Sequence, residues 1–111
     1  MKSGIAIVGS IIVDRINEIP DYPSVGKLTQ IKSVSKSVGG LVPNVSIDLK
    51  RINPSLEVKA VGKIGNDEDG KFVKSILIKN QVDVSNVKTC NDKTSFTEVM
   101  SITGGQRTFF W

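Results

Sequence analysis

Apolar residues first appear in this chain as a short unbroken run. Residues 4–9 read Gly-Ile-Ala-Ile-Val-Gly, the pattern of a strand buried on both faces of a parallel sheet. The mixed stretch that follows puts Asp14 close to the carboxyl end of that strand. Open parallel sheets bind ligands at that edge. Pro20, Pro23 and Gly26 mark a loop. Residues 27–38 alternate weakly, with Leu28, Gln30 and Lys32 against Thr29, Ile31 and Ser33. That predicts one or two exposed strands with limited core contact.

Gly39-Gly40 interrupts the alternation, and Val45, Leu49 and Ile52 then fall on one helical face. The spacing predicts a helix from about Pro43 to Ile52, since proline is compatible with a first turn. Asn53-Pro54 ends it. Residues 57–62 read as a second strand, and Gly62, Gly65 and Gly70 punctuate a turn. Asp67 is placed to N-cap a helix running to about Lys79, with Phe72, Val73, Ile76 and Leu77 as its buried face and Asn80 as its stop. Val82 to Val87 suggests a third strand. Strand–helix–strand–helix–strand is the grammar of an α/β sheet.

The last stretch changes character. Residues 94–103 alternate, Phe96, Glu98, Met100 and Ile102 against Thr97, Val99 and Ser101, and Gly104-Gly105 is a hairpin turn signal. The chain ends Arg107-Thr108-Phe109-Phe110-Trp111. Three aromatics at a terminus are an apolar liability unless covered, and the expected sheet has few strands for its helices. The expectation is therefore an incomplete fold.

Composition narrows the function classes. At 111 residues, 39% hydrophobic and 23% charged, the chain reads as one ordinary domain or part of one. A net charge of +4 raises nucleic acid as a partner. The lysines are scattered, however, and only Tyr22 and Phe72 offer mid-chain stacking surfaces, so solvated lysine faces are expected. One cysteine, Cys90, and no histidine exclude an internal disulfide and a zinc site of the usual kind. The run after Lys2 is too short for a membrane span and lacks a cleavage site. No nucleic-acid or membrane partner is expected, and the expected location is the cytoplasm.

The candidate chemistry lies in two glycine-rich stretches, Val38 to Asn44 and Val61 to Gly70. Gly39-Gly40 lacks the Gly-x-x-x-x-Gly-Lys-Ser/Thr spacing of a phosphate-binding loop. Adjacent glycines let backbone approach a ligand, a helix N-terminus offers free N–H groups, and Asn44 supplies a donor and an acceptor. Asp14 could accept hydrogen bonds from hydroxyl groups. The combination suits a polyhydroxylated small molecule.

The order Gly-Ser with nearby Asp14, then Gly39-Gly40 with Asn44, then Gly62-x-x-Gly65-x-Asp67-x-x-Gly70 resembles the N-terminal signature of ribokinase-like (PfkB) carbohydrate kinases. The hairpin Gly104-Gly105-Gln-Arg-Thr-Phe resembles that family's lid. The resemblance implies an α/β fold, a three-layer α/β/α Rossmann-like sandwich, here incomplete, with a β-sheet lid. Residues 1–26 and 39–93 would belong to the core, and 27–38 and 94–111 to the lid. It implies substrate-binding roles for Asp14, Gly39, Gly40 and Asn44, and lid positions flanking the sugar for Phe96 and Thr97. Arg107 has two readings, a solvated lid arginine, which is the favoured one, and a contact to a substrate carboxylate or phosphate. Asp67 and Gly70 match a structural turn. Leu41-Val42-Pro43 departs from the Lys-Gly-Ala that ribokinases proper usually carry, which argues against ribose.

The implied reaction is transfer of the ATP γ-phosphoryl group to a sugar hydroxyl with Mg2+. The catalytic aspartate and ATP pocket lie in a C-terminal part with no counterpart here. The implied assembly is a homodimer through the lid. No catalytic, cofactor or metal residue is therefore expected in residues 1–111, and the chain alone is expected to be inactive. Alternatives are a non-catalytic binding or dimerisation module, and a nucleoside kinase of the same family.

Overall fold

The computed structural model describes residues 3–111. Met1 and Lys2, which precede the first apolar run, lie outside the described residues. The elements in chain order are β1 (Ile5–Val8), β2 (Ile12–Ile19), β3 (Ser33–Gly39), α1 (Leu41–Ile52), β4 (Val58–Gly65), α2 (Glu68–Lys79), β5 (Asp83–Cys90), β6 (Phe96–Ile102) and β7 (Arg107–Phe110). They form two compact units: the described residues of Met1–Val13 with Val38–Ser95, and Asp14–Ser37 with Phe96–Trp111. The sequence reading placed residues 14–26 with the α/β core; the backbone groups them with the second unit.

The first unit is built on a three-stranded sheet in the order β1-β4-β5, with both strand pairs parallel. Parallel neighbours need crossover connections, and α1 and α2 lie between these strands in sequence. Val58, Ala60, Ile64, Val73, Leu77, Val82 and Val87 are buried in its core, with Val42 and Ile47 of α1. On α2, Val73 and Leu77 are fully buried, whereas Phe72 and Ile76 are only partly so. β1 is not buried on both faces as its apolar run suggests: Ile5 is 43% and Val8 64% exposed. It is an edge strand, paired on one side only.

Two boundaries differ from the sequence reading for physical reasons. β4 runs on through Gly62 and Gly65, because Gly62 to Gly65 keep pairing with Val87 to Cys90. A side chain at Gly65 would place its Cβ 2.1 Å from the Asp92 carbonyl oxygen, so only glycine lets this strand pass that loop. Helix α1 begins two residues earlier than Pro43, at Leu41.

α2 starts as the sequence indicates. Asp67 is its N-cap, accepting from the Gly70 amide at 2.8 Å. The same carboxylate accepts the Thr94 hydroxyl at 2.6 Å and the Thr94 amide at 2.9 Å. The Thr94 hydroxyl oxygen in turn accepts the Gly65 amide at 2.9 Å. One carboxylate thus ties the end of β4, the start of α2 and the segment before β6.

The second unit carries most of a four-stranded sheet ordered β3-β2-β6-β7. β6 and β7 form an antiparallel hairpin with Val99 opposite Phe109, turned at Thr103–Gly105. Residues 27–32 are not strand; only Ser33 onwards is extended into the sheet. On β6 the buried positions are Thr97 and Val99, not the larger Phe96 and Met100.

Candidate functional site

In the first unit, Gly39, Gly40 and Asn44 surround the start of α1. Gly40 has φ +85, and a Cβ there would sit 2.7 Å from the Ser10 carbonyl oxygen. Glycine is required on both counts. The Ser10 hydroxyl accepts from the Leu41 amide at 3.2 Å, and its carbonyl accepts from the Val42 amide at 3.1 Å. Pro43 has no N–H, and the Asn44 amide bonds the Gly40 carbonyl at 3.4 Å. The first-turn amides are therefore engaged inside the unit, which corrects the expectation of free N–H groups for a ligand. What this corner leaves for a ligand is the exposed side chain of Asn44.

In the second unit, Asp14 does not end the first strand, as the sequence reading had it. It lies in β2, a strand that reading missed. Its carboxylate accepts the Thr97 hydroxyl of β6 at 2.5 Å. Side chains alternate across a strand, so Asp14 and Thr97 share one face and their neighbours take the other. There the Arg15 guanidinium lies 4.0 Å above the Phe96 ring and 3.4 Å from Glu98. Asn17, buried, donates to Glu98 at 2.9 Å. Phe96 is thus a platform for Arg15 on the face opposite Asp14, and Arg107 is exposed on β7, opposite Ser101. Of the predicted residues in this unit, only Asp14 and Thr97 are bonded to each other.

Among the described residues, no group of three or more His, Cys, Asp or Glu side chains could hold a metal ion. Among the described residues, no helix is long and apolar enough to cross a membrane. A cavity of about 620 Å³ opens at the amino ends of β1, β4 and β5, beside Gly4, Glu57, Lys59 and Asp83. None of the predicted site residues lines it, and it lies at the edge opposite to where parallel sheets bind ligands.

A sequence description of the pfkB family carbohydrate kinases matches residues 2–110. The chain belongs to the pfkB family. It is 29% identical over 98 residues to the 5-dehydro-2-deoxygluconokinase of Mesomycoplasma hyopneumoniae, covering 86% of this chain and 27% of that protein. It is 29% identical over 92 residues to the probable fructokinase-7 of Arabidopsis thaliana, covering 80% of this chain and 26% of that protein. The solved structure of a ribokinase from Cryptococcus neoformans, in complex with ADP, superposes with a TM-score of 0.79 at 24% identity, over 98% of this chain and 34% of that one. The chain thus has part of the ribokinase-like α/β fold and spans about a quarter of the length of these curated relatives.

Two structural partners of this pfkB chain escaped sequence reasoning. Ser10 caps α1 from the β1–β2 turn, and its only signal was a serine next to Gly9. Thr94 anchors Asp67 across 27 residues, a separation at which one sequence gives no cue.

Proposed function

We propose that this chain is the sugar-recognising part of a pfkB-family kinase. The full enzyme would transfer the ATP γ-phosphoryl group to a hydroxyl of a small keto sugar or keto sugar acid. The observation that carries the reading is Asp14, a half-buried carboxylate fixed on a strand by a buried threonine, within a pfkB match that spans both glycine clusters. A carboxylate of this kind accepts hydrogen bonds from sugar hydroxyls. Asn44 would add a donor and an acceptor. Gly39 and Gly40 would shape the backbone that carries it. The relatives named for 5-dehydro-2-deoxygluconate and fructose support keto substrates, and Leu41 in place of the ribokinase lysine points away from ribose.

ATP and Mg2+ belong to the proposed reaction, but the described residues do not fit either. They contain no complete phosphate-loop motif, since Phe72 follows Gly70-Lys71 where that motif has Ser or Thr, and no metal-binding group of side chains, so no residue of this chain is assigned to them. The proposed role of residues 1–111 is positioning, which makes a large contribution to phosphoryl transfer. Homodimerisation through the second sheet and a cytoplasmic location complete the proposal. Phe109 and Phe110, 58% and 59% exposed on edge strand β7, support the pairing.

Calorimetric titration tests this reading. D-Fructose and 5-dehydro-2-deoxy-D-gluconate should bind saturably to the 111-residue chain, with no sugar-dependent ADP release from ATP. Asp14→Ala should weaken binding by about tenfold or more, the loss expected for hydrogen bonds to a charged group. Unchanged affinity in Asp14→Ala contradicts the proposal, as does turnover by the chain alone.

A further inference from the structure

Thr97 was expected from the sequence to flank the sugar. Its surroundings fit a different role, and we infer that Thr97 is a positioning residue that holds the Asp14 carboxylate in one orientation for sugar binding. The inference rests on the proposed sugar site and adds how the aspartate is fixed there.

Thr97 is 8% exposed, so its side chain has little surface to offer a ligand. Its hydroxyl has one proton to donate. An ionised carboxylate has none, so in the 2.5 Å contact the threonine is the donor. That separation falls in the range of charge-assisted O–H···O bonds. With its proton given to Asp14, Thr97 cannot donate to a sugar as well. Threonine is β-branched and restricted at χ1, and burial on β6 restricts it further. A short bond from a fixed donor transfers that rigidity to the aspartate.

The bond occupies a single acceptor position on Oδ1, and a carboxylate has about four. Capacity for hydroxyl groups is therefore retained while rotamer freedom is removed. Binding to a side chain already held in its bound orientation avoids the cost of ordering it. By strand alternation the paired Arg15 and Glu98 take the other face of the sheet.

Three substitutions and two readouts test this. Thr97→Val keeps the shape and loses the donor; Thr97→Ser keeps the donor. Val99→Ala removes bulk from a buried neighbour on the same face of β6 and should lower the melting temperature without altering affinity. For D-fructose and 5-dehydro-2-deoxy-D-gluconate, the dissociation constant should rise about tenfold in Thr97→Val and return to within about twofold of wild type in Thr97→Ser. Equal affinity in Thr97→Val and wild type overturns the inference, and so does equal weakening in Thr97→Ser and Thr97→Val. If Thr97→Val does not fold, Thr97→Ala takes its place under the same criteria.

The second readout needs no ligand. NMR couplings should report a single χ1 rotamer for Asp14 in wild type and Thr97→Ser, and averaging in Thr97→Val. Averaging in wild type overturns the inference by itself. Failure of the sugar reading appears separately, as unchanged binding in Asp14→Ala.

Discussion

Glu18 shows what a hydrogen bond does to an exposed side chain in this protein. Its carboxylate accepts the hydroxyl of Thr103 and, at 3.0 Å, that of Ser33. The Thr103 bond is the main reason its pKa lies below the ordinary glutamate value, with Ser33 second and the Lys32 charge adding less. Because the folded value is the lower one, the stabilisation is present above the ordinary glutamate range. It is lost as pH falls through the lowered folded value. Thr103→Val should move the Glu18 pKa back up toward the ordinary value, read from its side-chain carboxyl shift during an NMR pH titration. No change would mean that the Thr103 bond is not formed in solution. At this scale the sequence was legible where a residue's own chemistry decides its place. Asp67, read as the cap of α2, was found that way. Ser10 and Thr94 act through partners brought near by the fold, and a lone serine or threonine carries no such signal.

Secondary elements were legible where one face is apolar and the other polar. α2 was read with its cap and its stop, since Asp67 and Asn80 bracket a regular apolar face. β2 was missed because its inward positions are not all apolar. Val13, Asn17 and Ile19 are buried, with Arg15 between them in the alternation, so two polar residues conceal the period. β6 shows the converse: its large apolar residues drew attention, yet Thr97 and Val99 are the buried ones. Two substitutions test the packing of the first unit. Asp67→Ala removes the cap and leaves the buried Thr94 hydroxyl short of a partner, and should cost about 1–3 kcal/mol in chemical denaturation. Leu77→Ala, at a fully buried site, should cost about 2–5 kcal/mol. A loss under half a kcal/mol in either case would contradict the packing described here.

For the molecule as a whole, family membership was the most legible property, because it depends on the joint order of motifs along the chain. The parallel α/β unit followed from alternating helix and strand patterns. The boundary of the second unit did not, because β2 and β3 each pass from one unit into the other and nothing in the composition changes at Val13. The central claim is the proposed recognition of a sugar by Asp14. Amide chemical-shift mapping of the 111-residue chain during titration with D-fructose and 5-dehydro-2-deoxy-D-gluconate tests that claim most directly. The expected result is saturable shifts at Asp14 and Thr97, with the Thr97 shift moved to about tenfold higher sugar concentration in Asp14→Ala. Shifts confined to the cavity beside Gly4, Glu57 and Asp83, or none at saturating sugar, would contradict it.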